Sequence, residues 1–226
     1  MLAKKRKFDL RQWVLVTDWN PLTVWLYSEP YVRFAGVDFD FENIGNRYSH
    51  LSNNSVIKNL KGSVASYVIE GNMWSLQDLQ DWLTEEYGYD VWETDLVEKI
   101  KNLVINSLES VQDMFESKKG QQHEVFGYDI MIDEDFNCWL IEVNSSPAMD
   151  YSTPVTERLV KMVLEDTIKV VVDYNMAPER KRKNIDTGLY ECIYKAKRIV
   201  DKPMSSFGLS MEVKGAKIND RNLKLY

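Results

Sequence analysis

A chain of 226 residues that is 44% hydrophobic and 28% charged can close one sizeable core. It has no apolar run near the roughly 18–20 residues of a membrane span. The net charge of −7 is uneven: residues 174–226 carry 12 Lys/Arg against 6 Asp/Glu, and residues 1–173 carry 16 against 29. A basic end on an acidic body suits an acidic partner or a solvated extension. Neither a nucleic acid nor a membrane is the expected partner. The start, "MLAKKRKFDL", is basic without an apolar core behind it, unlike a secretory signal. The two cysteines, Cys138 and Cys192, form no CxxC pair, and a reducing, intracellular compartment is expected.

Residues 8–17, "FDLRQWVLVT", alternate and favour a strand, with "TVWLYS" (23–28) as its hairpin partner after Asn20-Pro21. On that first strand Lys7, Asp9 and Arg11 share one face, while Phe8, Leu10 and Val14 take the other. Two cations flanking a carboxylate suit polyphosphate, Lys as a point charge and Arg as a fork. The same pattern also describes a solvent-facing strand of mixed charge. Arg33, in "YVRF", is a further candidate cation. "HLSNNSVIKN" (50–59) reads as a loop entering a short helix. Ser75 caps "SLQDLQDWLTEE", which sets Leu76, Leu79 and Leu83 on one face.

The strongest periodicity, from Leu96 through Ile100, Val104 and Leu108 to Phe115, predicts a helix over 95–118, ended by the loop "KKGQQH". Strands follow at 125–132 and 138–143, then a long helix over 154–173, with Pro154 acceptable near its start. Beyond the break at "MAPERKRKNID" the pattern suggests a short helix near "LYECIYKAKR" and a hairpin near "GLSMEVKGAKI". This order of elements indicates an α+β fold, an antiparallel sheet packed with long helices.

The stretch "WLIEVNSSPAMD" (139–150) carries the chemical question. Trp139, Leu140, Ile141 and Val143 suit a buried strand, where the carboxylate of Glu142 is costly unless paired. A hairpin turning at 134–136 sets Asp129 near Glu142, and Asn144 shares the Glu142 face. Two such carboxylates repel unless a cation lies between them, and an all-oxygen set suits Mg²⁺ carrying a nucleotide. A buried Arg or Lys paired with Glu142 would also answer, and on this stretch alone it is the commoner fate of such a residue. An EF-hand is excluded, because Cys138 and Asn144 stand where that loop needs Gly and Glu. The sequence contains no Ser/His/Asp or Cys/His arrangement and no glycine-rich phosphate loop.

In order, "RKFDLR" (6–11), "YVRF" (31–34), "HLSNNS" (50–55), "GYDIMID" (127–133) and "WLIEVNSSPAM" (139–149) resemble the tubulin tyrosine ligase-like family of ATP-grasp ligases. "LVTDWNPLTVWLY", "NMW", "STPVTERLVKMVLEDTIKVVVD" and "DTGLYECIYK" resemble its protein glycine ligases. The resemblance implies the C-terminal portion of an ATP-grasp domain over 1–173, followed by a basic extension over 174–226. The region that in this family precedes the first strand and grips the adenine is expected to lie outside the chain.

By the same resemblance Lys7, Asp9, Arg11, Ser52 and Asn53 contact ATP, Arg33 holds the acyl-phosphate and acceptor, and Asp129, Glu142 and Asn144 bind Mg²⁺. Arg11 and Arg33 would act in catalysis. The implied reaction joins glycine to glutamate side chains of tubulin's acidic tails, at the cytoskeleton and in the cilium or axoneme. The alternatives are a non-catalytic microtubule-binding protein and a glutamate ligase of the same fold.

Overall fold

The computed structural model describes residues 1–60, 65–115 and 123–200. Its centre is a seven-stranded antiparallel sheet built around β1 (Phe8–Trp19). One edge of β1 pairs with β3 (Tyr31–Phe34) along residues 8–11 and with β2 (Leu22–Tyr27) along residues 14–19. The other edge pairs with β5 (Glu124–Ile132), which in turn pairs with β6 (Cys138–Asn144). β4 (Met73–Trp74) extends the sheet beyond β3, and β7 (Tyr190–Lys195) extends it beyond β2.

The period-2 pattern of β1 feeds two separate cores. Phe8, Leu10, Val14 and Val16 pack with Leu79 and Leu83 of α2 (Leu76–Tyr87) and with Ile100, Val104 and Leu108 of α3 (Val97–Glu109). Trp13 and Leu15 face the other way, onto Leu159, Val160 and Val163 of α4 (Pro154–Ile168). Burying side chains of this size contributes roughly 1.5–3 kcal/mol each, so helices on both faces clamp the sheet. The predicted cap at Ser75 is present. Ser75 accepts from the Asp78 amide at 3.2 Å while its own amide donates to Asp78 at 2.8 Å. Thr153 caps α4 in the same way, with Pro154 as its first residue. The short helix α1 (Asn54–Ile57) follows "HLSN" as expected.

Several expectations change. "LYECIYKAKR" contains no helix: residues 190–195 are strand β7, because the short apolar run finds a hydrogen-bonding partner in β2. α3 stops at Glu109, and Phe115 belongs to a separate turn where its ring stacks on Trp19 at 3.8 Å. The helix expected over 154–173 is regular to Ile168 and continues through wider turns to Tyr174. Most importantly, β6 is not buried. It is the outermost strand beside β5, and Trp139, Ile141 and Val143 are 58%, 56% and 42% exposed. The "KKGQQ" of the expected loop and the hairpin expected near 208–218 lie outside the described residues.

Candidate functional site

α4 covers only part of its sheet face. Further back along this face the β1 pattern turns from Trp13 to charge, at Arg11 and Asp9. Strand register places their partners. Asp9 stands opposite Arg33 on β3, and Arg11 stands opposite Asp129 on β5. Arg33 Nε donates to Asp9 at 2.7 Å and its Nη2 reaches Asp129 at 2.8 Å, while Arg11 Nε donates to Asp129 at 2.7 Å. An alternating chain Asp9–Arg33–Asp129–Arg11 therefore crosses three strands. Burial alone would raise the Asp129 pKa. The hydrogen bond from Arg11 and the charges of Arg33 and Arg11 outweigh it and hold the carboxyl below its ordinary range. Burial likewise disfavours the Arg33 cation, and Asp9 and Asp129 reverse that to raise its pKa.

Gly127 makes room for this arrangement. A Cβ there would sit 2.8 Å from Pro147 Cβ and 3.1 Å from Arg11 Cδ, so the Arg11 stem lies directly across β5. Between the two arginines and the loop after β6 opens a cavity of about 380 Å³. Its lining includes Arg11, Arg33, Asn53, Glu142 and Asn144, five of the nine residues singled out from sequence. Asp9, Asp129 and Ser52 stand behind it: Ser52 is buried and its hydroxyl donates to Asp9. Lys7 does not line the cavity. Its ammonium meets His50 Nδ1 at 2.9 Å and lies over the Phe39 ring.

Asp129 and Glu142 are register partners, as the hairpin argument expects. The register shifts between Asp129 and Ile130, so Ile141 is an extra residue on β6. Such a bulge re-aims the side chains beyond it. Glu142 is exposed, so it carries no burial cost of its own. The buried carboxylate that needs compensation is Asp129, and Arg11 and Arg33 supply it. Asn144 donates its amide to Glu142 at 3.2 Å and to the Gly127 carbonyl at 3.4 Å. Both of those contacts use its NH₂ and leave Oδ1 as an acceptor.

An exposed carboxylate and an amide oxygen with its NH₂ committed elsewhere are oxygen donors of the type that suits Mg²⁺, whereas both oxygens of Asp129, behind them, are engaged by Arg11 and Arg33. No cluster of three or more His, Cys, Asp or Glu side chains that could hold a metal occurs among the described residues. Any cation here would therefore depend on Asn144 and on waters or phosphate oxygens.

Sequence reasoning missed several cavity residues: Tyr31, Lys58, Met73, Asp150 and Thr156. Tyr31 could have been found, because it lies two residues before Arg33 on the same strand face and opposite Arg11. The others come from the end of α1, where Lys58 is the C-cap, from β4 and from the loop and helix after β6. No local pattern in the sequence ties those segments together.

A model of the tubulin-tyrosine ligase family matches residues 1–182. Tubulin glycylase 3C of Tetrahymena thermophila is 50% identical over 204 residues, covering 89% of this chain and 19% of that protein. Tubulin glycylase 3D of the same organism is 42% identical over 230 residues, or 99% of this chain and 22% of the relative. Tubulin monoglycylase TTLL3 of Homo sapiens is 44% identical over 191 residues, 84% of this chain and 24% of the relative. The chain thus spans about a fifth of the length of these relatives. It belongs to the tubulin-tyrosine ligase family.

Proposed function

We propose, for this member of the tubulin-tyrosine ligase family, that the chain carries part of the catalytic site of an ATP-dependent glycine ligase acting on glutamate side chains of tubulin tails. The observation that carries the reading is the convergence of Arg11, Arg33, Asn53, Glu142 and Asn144 on one cavity, within a sequence 38–50% identical to proteins named glycylases. In the reaction, ATP phosphorylates the acceptor carboxylate, and the amine of glycine displaces phosphate to form the amide. Such chemistry needs positioned charge more than a nucleophilic side chain, which agrees with a site built of arginines and carboxylates.

Arg11 and Arg33 each commit Nε and Nη2 to Asp129 or Asp9. Held so, each guanidinium is fixed in orientation at the cavity and would leave Nη1 for the anionic groups of nucleotide and acyl-phosphate. Asn53 opens α1 beside them and offers an amide to the nucleotide. Glu142 and Asn144 would hold Mg²⁺, with Asp129 behind them committed to the two arginines. When bound, that ion neutralises charge on the β- and γ-phosphates. Ser146, Ala148, Asp150 and Ser152 of the loop after β6 rim the cavity. We place the activity at the cytoskeleton and in cilia. The exposed Arg180, Lys181 and Lys183 are a surface for acidic tubulin tails.

The test is incorporation of labelled glycine into tubulin, with Glu142→Gln as control and glutamate as competitor. Incorporation of glycine that Glu142→Gln abolishes supports the reading. Preferential incorporation of glutamate, or activity indifferent to Glu142, would overturn it.

A further inference from the structure

Lys7 is held differently from the two arginines of the site. Arg11 and Arg33 are matched by Asp129 and Asp9 within hydrogen-bonding distance. Among the described residues Lys7 has no carboxylate partner. Its ammonium lies 2.9 Å from His50 Nδ1 and 4.2 Å from the centroid of the Phe39 ring. The Phe39 ring in turn meets the His50 ring edge-on, at 5.5 Å and 84°. The far ring nitrogen, His50 Nε2, lies 2.9 Å from the Ile44 carbonyl oxygen.

These two contacts fix the proton on the ring. A carbonyl oxygen only accepts, so Nε2 must carry hydrogen. An ammonium only donates, so Nδ1 must present its lone pair. Both hold together only for the neutral Nε2–H tautomer. The backbone of Ile44 therefore selects the tautomer, and the tautomer holds the lysine.

We propose that His50 is a positioning residue that holds the Lys7 ammonium beside, rather than within, the cavity lined by Arg11 and Arg33, and keeps it available to a phosphate group without cancelling its charge. The phosphate half of the proposal rests on the function proposed above. The contrast with a carboxylate gives the physical reason. An aspartate at this place would hold Lys7 at least as firmly, but it would neutralise the ammonium and remove its attraction for an anion. A neutral imidazole and an aromatic face restrict the side chain and leave the full positive charge, with two N–H groups still to donate. The two arginines and two aspartates balance one another, so Lys7 adds the uncompensated positive charge at that end of the row.

Nitrogen-15 NMR of the 226-residue chain, labelled at histidine and lysine, tests the geometry without requiring activity. At neutral pH the His50 ring is expected as the Nε2–H tautomer. Observation of the Nδ1–H tautomer or of imidazolium overturns the proposal. Titration with MgATP, followed by the same signals, reads affinities down to the millimolar range. His50→Gln retains a neutral acceptor and is expected to bind within about threefold of the unsubstituted chain. His50→Phe fills the space without an acceptor and is expected to bind roughly tenfold more weakly, the loss of a hydrogen bond to a charged group. Equal binding by the two variants would overturn the positioning role, since a packing role alone would favour Phe. Failure of the unsubstituted chain to bind MgATP would instead overturn the phosphate target, while the function proposed above stands or falls on glycine incorporation. The tautomer would still decide whether His50 holds Lys7.

Discussion

Replacing Asp129 by Asn tests whether the ionic row is what holds the site together. The Asp129 side chain is 4% exposed and those of Arg11 and Arg33 are 7% exposed. Removing one partner from a buried ion pair costs about 3–5 kcal/mol, because the other charge is left uncompensated. Arg33 keeps Asp9 at 2.7 Å, so the loss falls mainly on Arg11. The expected destabilisation is therefore at the low end, about 3 kcal/mol. For a chain of this size that lowers Tm by roughly 6–12 °C. Thermal and urea melts measure both quantities.

The pH dependence gives an independent check. The Asp129 pKa is lowered in the folded state, so the stability it contributes is present above the unfolded carboxyl pKa of about 3.9. That contribution is lost as pH falls through the folded value. The gap between Asp129→Asn and the unsubstituted chain should be full at pH 7 and close below about pH 4. In a double-mutant cycle, Arg11→Met should suppress most of the Asp129→Asn loss. A loss under about 1 kcal/mol at pH 7, or a gap indifferent to acid, would refute the assignment.

Three further substitutions separate structural from chemical roles. Glu142→Gln alters an exposed side chain and should shift stability by no more than about 0.5 kcal/mol in urea melts, while abolishing glycine incorporation. Gly127→Ala places a methyl 2.8 Å from the rigid Pro147 ring and against the Arg11 stem. It should cost about 1–3 kcal/mol, read in the same melts. Gly188 has φ +61°, and a Cβ there would come within 1.9 Å of Asp166. Asp166 is buried and accepts from the Tyr27 hydroxyl at 3.1 Å, the Leu189 amide at 3.0 Å and Lys169 at 2.9 Å. Gly188→Ala should therefore cost about 3 kcal/mol or more by calorimetry, with little change in MgATP binding at the distant cavity.

Strand alternation alone put Lys7, Asp9 and Arg11 on one face, and the position of the polar turn put Asp129 across from Glu142. Both follow from fixed geometry, a period of two and a short hairpin. What sequence could not supply is context. "CWLIEV" has the composition of a central strand, yet it lies outermost, because composition does not say which neighbours a strand will find. "YECIYK" is too short for periodicity to choose between helix and strand, and its pairing with β2, far away in sequence, decides the matter. The bulge at Ile141 was invisible as well, since one extra residue leaves no mark in a hydropathy pattern. The exchange of partners was the deepest difference. Glu142 looked like the carboxylate in need of compensation, but the buried one is Asp129, and its cations come from β1 and β3.

The outermost position of β6 also grades the stiffness of the site. Arg11, Arg33 and Asp129 sit on strands with hydrogen-bonded neighbours on both sides, so their amides should open only with the whole sheet and exchange slowly. Among the described residues, Glu142 and Asn144 ride on a strand tied along one side only, whose opening leaves the β1–β5 ladder intact. In hydrogen exchange Glu142 and Asn144 should thus lie in the least protected unit, and the fixed charges of Arg11, Arg33 and Asp129 beneath them in the most protected.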